Sequence, residues 1–143
     1  MPYEYLEEGV TADVTFHAWG ESLDELFAAA ADATVRVMVA SLDTIRPALN
    51  KSVLVAADAL DLLLLRFLDE LIFLKDAESV LLRATEVHVQ AADHGQQVRA
   101  RFCGEAIDPA RHELVADVKA VTLYGLRVEH LGSLWHADVT LDV

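Results

Sequence analysis

Two aspartates stand out by where they sit. Asp13 follows the Thr11-Ala12 step and opens an alternating stretch, and Asp142 is next to last, beside Val143. If the first and last strands bring their ends together, the Asp13 and Asp142 side chains and the Val143 carboxylate meet at one point. Three such groups repel one another unless a cation lies among them, and an all-oxygen set suits a hard divalent ion: calcium, magnesium or manganese. The competing reading is that Asp13 hydrogen-bonds a turn and Asp142 is a solvated chain end.

Other chemistry is sparse. There is no glycine-rich phosphate loop, no cysteine pair for zinc and no His-Glu-x-x-His helix. Cys103, the lone cysteine, falls in an alternating strand and reads as a small buried hydrophobe rather than a nucleophile. The histidines are scattered. His88 and His136 fall on strands, His94 and His112 in loops, and each reads as a surface residue. Asp24-Glu25 and Asp69-Glu70 read as solvated helix faces.

The elements that would position these groups are organised around residues 58–74. Leu60, Leu63, Leu64, Phe67, Leu71 and Leu74 recur at helical spacing, with Leu62, Leu65, Leu68 and Ile72 widening the apolar surface. Such a helix must be covered on more than one side, yet Asp61, Arg66, Asp69 and Glu70 interrupt it too often for a membrane span. Asp58 is its expected cap.

Before it, Tyr3 to Leu6 reads as an edge strand and Glu7 to Asp13 as a break. Val14 to Trp19 alternates, with Val14, Phe16 and Ala18 on one side. Ser22-Leu23-Asp24-Glu25 is a capping box opening a helix that buries Leu23, Leu26, Phe27, Ala30, Ala31, Val37 and Met38. Arg46 to Leu49 is a loop and Lys51 to Ala56 a strand. After the central helix, residues 80–92 and 97–103 form a hairpin about Asp93-His94-Gly95. Gly104-Glu105 and Ile107-Asp108-Pro109 form a second break. Asp117 to Val128 and the stretch after Gly132-Ser133 are the last strands. In the final strand Leu134, Trp135, Ala137, Val139, Leu141 and Val143 supply the apolar set, and His136, Asp138, Thr140 and Asp142 point to the other face. The expectation is one α+β domain, residues 1–143, a mostly antiparallel sheet packed with two main helices.

The 143 residues carry a formal net charge of −13. That argues against direct binding to nucleic acid or anionic membrane and favours a basic protein surface, although acidity also simply maintains solubility. The opening Met-Pro-Tyr-Glu-Tyr lacks the marks of a signal peptide, and one cysteine excludes an internal disulfide framework, so a cytoplasmic location is expected.

Several of these stretches share an order and spacing. They are Tyr3-Glu4-Tyr5-Leu6, Thr11-Ala12-Asp13-Val14, Ala18-Trp19-Gly20-Glu21-Ser22-Leu23-Asp24-Glu25-Leu26-Phe27, Leu62-Leu63 and Phe67-Leu68-Asp69-Glu70-Leu71. Gly104-Glu105, His112, Val118-Lys119-Ala120-Val121-Thr122 and Leu141-Asp142-Val143 complete the set. Together they resemble the archease family nearly end to end. The resemblance implies an archease-like fold and an accessory protein, not itself an enzyme, for an RtcB-type, GTP-dependent RNA ligase. That ligase joins a 3′-phosphate or cyclic phosphate to a 5′-hydroxyl in tRNA splicing and RNA repair, and the accessory protein promotes its guanylylation and multiple turnover. The resemblance also implies that Asp13, Asp142 and the Val143 carboxylate hold a divalent metal, and that Lys119 faces the partner or supports the site. A chaperone-like activity that prevents aggregation of partner proteins is the family's alternative role. The sequence departs from the family where a histidine usually precedes Thr-Ala-Asp, here Val10. It departs again where Tyr-His commonly follows Lys-Ala-x-Thr, here Leu123-Tyr124.

Overall fold

The apolar run at the middle of the chain forms a helix, α2 (Leu60–Glu78), and in this computed structural model it touches strands of two separate sheets. The structure describes residues 1–6 and 13–143. The expected break at Glu7 to Ala12, with the Val10 position in it, lies outside the described residues. The elements run β1 (Tyr3–Leu6), β2 (Asp13–Gly20), α1 (Leu23–Met38), β3 (Leu49–Ala57), α2, β4 (Val80–Ala91), β5 (Gln96–Ala106), β6 (Ala120–Leu131) and β7 (Leu134–Asp142), with a short 3-10 turn at Leu42–Thr44. One sheet has the order β1-β2-β7-β6, the other β3-β5-β4, and every pairing is antiparallel. The fold is the expected α+β arrangement, with the strands divided between two sheets. No helix of the described residues is long and apolar enough to cross a membrane.

The width of the apolar surface on α2 explains its place. Leu63, Leu64, Phe67, Leu68, Leu71, Ile72 and Leu74 are all buried, more than one stripe could hold. Phe67 stands between Phe27 of α1 and Phe102 of β5, ring centroids 5.5 Å away on each side. Three fully buried phenylalanines thus tie both helices to the second sheet, each contributing about 1.5–3 kcal/mol.

Helix ends differ from expectation in detail. Ser22 accepts the Glu25 N–H at 3.1 Å, but the Glu25 carboxylate turns back to the Glu21 N–H at 2.8 Å, one residue earlier than a capping box places it. Asp58 does not cap α2. The cap position is Ala59, and the Asp61 carboxylate instead takes the free Leu62 N–H at 2.7 Å. Gly104 does not break β5, which continues to Ala106. Its missing side chain lets β4 pass, since a Cβ there would lie 1.8 Å from the Leu81 carbonyl oxygen. The strand expected from Asp117 begins at Ala120, and its pairing with β7 slips between Thr122 and Arg127 around Gly125, whose φ is +65°.

Candidate functional site

Pairing of β2 with β7 sets the geometry. Alternation along β2 sends Phe16 and Ala18 inward, and along β7 Ala137, Val139 and Leu141. The other set lines the opposite face of the sheet. There the register opposes Asp13 to Asp142, Thr15 to Thr140, His17 to Asp138 and Trp19 to His136. The two aspartates that sequence singled out are therefore neighbours on one sheet. The Thr15 and Thr140 hydroxyls, 2.9 Å apart, close the ladder behind the two aspartates.

Lys119 lies beside them. Its main-chain N–H donates to the Asp142 carbonyl at 2.8 Å, and Ala120 is the β6 partner of Asp142. Its side chain is exposed. Among the described residues, no ion pair involves Asp13, Asp142 or Lys119. Nor do three His, Cys, Asp or Glu side chains gather closely enough to hold a metal by themselves.

Two residues of α2 fix the segment that delivers Lys119. The Asp69 carboxylate accepts the Val121 N–H at 3.2 Å; burial raises its pKa and that hydrogen bond opposes the rise. Lys75 is buried and donates to Asp117 at 2.6 Å and to the Val118 carbonyl at 2.8 Å, with Asp76 also 2.8 Å away. Burial works against its charge, but the hydrogen bonds to Asp117 and Asp76 outweigh it and raise the pKa above the ordinary lysine value. The same contact lowers the Asp117 pKa. Sequence reading passed over Lys75, although its position four residues after Leu71 puts it on the buried face.

Other sequence readings are corrected. Asp24 and Asp69 are not simply solvated, because the Asp24 carboxylate accepts the Val89 N–H of β4 at 2.8 Å and Asp69 reaches β6. His112 is not a surface histidine. It is 1% exposed, accepts the Asp108 N–H on Nδ1 at 2.9 Å and donates from Nε2 to Glu105 at 3.0 Å. Glu105 also pairs with Arg111 and accepts the Arg46 N–H, and the Arg111 contact foremost lowers its pKa to about 2. Cys103 is only half-buried, on the face of β5 opposite Phe102, where its thiol donates to Asn50 Oδ1. Position along the strand, and not hydrophobicity, decided that.

Comparisons with known proteins agree with this architecture. Residues 3–143 match the Archease protein family (MTH1598/TM1083). The chain is 33% identical over 134 residues to the archease of Pyrococcus abyssi, covering 93% of this chain and 94% of that one. It is 32% identical over 145 residues to the archease of Methanopyrus kandleri, covering both chains fully. The solution structure of Methanobacterium thermoautotrophicum protein 1598 superposes with a TM-score of 0.85 at 31% identity, over 99% of each chain. The crystal structure of an archease and possible chaperone from Thermotoga maritima superposes with a TM-score of 0.62 at 15% identity, over 98% of this chain and 99% of that one, a likeness of fold. On that agreement along its whole length, the chain belongs to the archease family.

Proposed function

We propose that this protein is an accessory factor that activates a GTP-dependent RNA ligase of the RtcB type through an acidic end that holds a divalent cation. The observation that carries this reading is the opposition of Asp13 and Asp142 across β2 and β7. Carboxylates on facing positions repel in an empty site and attract a hard cation, and the Val143 carboxyl group, one residue beyond β7, supplies a third oxygen donor. Calcium, magnesium or manganese fits this all-oxygen set. When bound, the ion supplies positive charge against phosphate oxygens at the ligase centre.

The chain's own residues do the rest. A surface of net charge −13 is drawn to the basic, phosphate-binding site of a ligase. Asp69 and Lys75 hold the start of β6 so that Lys119 stands beside Asp142 and can meet the partner. Binding energy gained at this contact favours the guanylylation-competent state of the ligase, which is coupling between sites and not catalysis by this chain.

The test is ligase turnover with and without the protein. Asp13→Ala and Asp142→Ala each abolish stimulation while circular dichroism and the melting transition remain those of a folded chain. Stimulation by both variants at the wild-type level defeats the reading. One observation favours a chaperone-like role instead: Leu114 and Val115 are exposed over a groove floored by Met38, Leu81 and Ile107. Suppression of aggregation of an unrelated protein by Asp142→Ala, lost on Leu114→Ser/Val115→Ser, would support it.

A further inference from the structure

The edge strand of the first sheet leaves its ladder close to the acidic end. β6 pairs with β7 at Thr122↔Thr140 and again at Arg127↔Asp138, so Leu123 to Leu126 stand opposite Val139 alone. The surplus residues bulge outward. Val121 is buried, and a regular strand would send Leu123 to the same side, yet Leu123 is 69% exposed and Tyr124 78%. Among the described residues, open space surrounds the position that a Cβ on Gly125 would take. The excursion is held at both ends. Thr122 Oγ1 donates to the Thr140 carbonyl at 3.2 Å, and Leu126 returns to pack against the core.

Protection of a sheet edge accounts for a bulge but not for these residues. A bulge that only keeps other strands away is served by lysine, proline or charge, whereas leucine and tyrosine add an apolar surface at the edge. Tyrosine is also the residue type most enriched, with tryptophan and arginine, where a few side chains carry a protein interface.

We infer that Leu123 and Tyr124 form an apolar anchor that enters a crevice on the ligase beside its basic, phosphate-binding site and so positions the acidic end there. The inference takes its partner from the reading of Asp13 and Asp142 above. Position supports it: Thr140, opposite the start of the bulge, lies two residues from Asp142, about 7 Å along β7. Anchor and acidic end therefore reach one partner surface together. Area supports it as well. The two side chains offer on the order of 300 Å², short of the roughly 800 Å² per partner of a stable interface. Alone they do not hold a second copy of this chain, but they suffice as the apolar part of a contact whose charged part lies alongside. A leucine does not stack on a base, and a net charge of −13 opposes a phosphate backbone, so a protein fits the anchor better than a nucleic acid.

The experiment separates binding from stimulation. The chain is titrated calorimetrically into an RtcB-type ligase, and ligase turnover is followed against chain concentration. Leu123→Ser/Tyr124→Ser weakens binding at least tenfold and raises the concentration for half-maximal stimulation by the same factor. Its plateau of stimulation and its melting transition stay at the wild-type level. Leu54→Ser, which removes another exposed apolar side chain on β3 of the other sheet, leaves binding unchanged. Equal affinity of the wild type and the double-serine variant overturns the inference, as does an equal loss in Leu54→Ser or a wild-type chain that does not bind the ligase. A wild-type dimer that the double-serine variant disperses in sedimentation also overturns it, because the anchor then belongs to a contact between copies. Wild-type stimulation by Asp142→Ala, together with tenfold weaker binding of the double-serine variant, defeats the acidic-end reading and upholds the anchor.

Discussion

Asp142→Asn should stabilise the protein without calcium and make it insensitive to calcium, two effects of opposite sign from one substitution. Asn keeps the shape of Asp, and the Lys119 N–H to Asp142 carbonyl bond is main-chain and survives. What disappears is a like-charge pair on directly opposed residues of β2 and β7. Facing pairs of this kind contribute roughly 0.2–1 kcal/mol, and Coulomb's law in water gives about 1 kcal/mol for unit charges 4 Å apart, so the two scales agree. For a chain of this length that shifts the melting temperature upward by about 1–4 °C. Calcium at a hundredfold excess over its dissociation constant should stabilise the wild type by about 2.7 kcal/mol, an upward shift of about 10 °C that Asp142→Asn lacks. The assay is thermal unfolding followed by circular dichroism, with chelator and with calcium, at low salt and again at 1 M salt. Screening over about 3 Å at 1 M should shrink the chelator-state difference. A lower melting temperature for Asp142→Asn in chelator refutes the repulsion argument, and an undiminished calcium shift refutes Asp142 as a ligand.

Three further outcomes follow from the packing and the ion pairs. Because the Glu105 pKa falls from 4.5 to about 2 on folding, the carboxylate stabilises the fold above the unfolded value, and that stability is lost as pH drops toward 2. Glu105→Gln should therefore flatten the decline of melting temperature between about pH 4.5 and 2; an acid limb of unchanged slope counts against it. Phe67→Ala, at the junction of both helices with β5, should lower unfolding free energy by about 3–5 kcal/mol in urea denaturation, and a loss under about 1 kcal/mol would show that this junction is not the core. Gly104→Ala must push β4 away from β5 at Leu81, so unfolding free energy should drop by about 1–3 kcal/mol or more, with amide protection lost across Leu81–Arg83; wild-type protection there contradicts the close approach.

Periodicity made most of the fold readable. The helical spacing of Leu63, Leu64, Phe67 and Leu71 marked the central helix, and its excess of apolar surface marked it as covered on several sides. Period-two alternation gave the correct faces of β2 and β7, including the polar set that ends in Asp142. Local chemistry was weaker where choices were nearly equal in energy. Asp58, Ala59 and Asp61 all stand near the start of α2, and which one serves the free amides depends on where the turn begins. Cys103 and His112 show the same limit, since hydrophobicity alone misplaced the one and polarity alone misplaced the other.

What the sequence determined by itself was which residues share a face, because side-chain direction follows from the backbone period. It also determined that Asp13 and Asp142 begin and end strands, and that the motifs run in archease order. Which strands lie side by side was decided only in three dimensions. Contacts between β2 and β7, more than a hundred residues apart in the chain, depend on how both helices fill the space between the sheets, and no local pattern encodes that register. The same long-range pairing set Asp13 against Asp142 and His17 against Asp138 and His136. A slip of one residue would have turned the whole polar set of either strand toward the core, which the burial of Phe16, Val139 and Leu141 forbids.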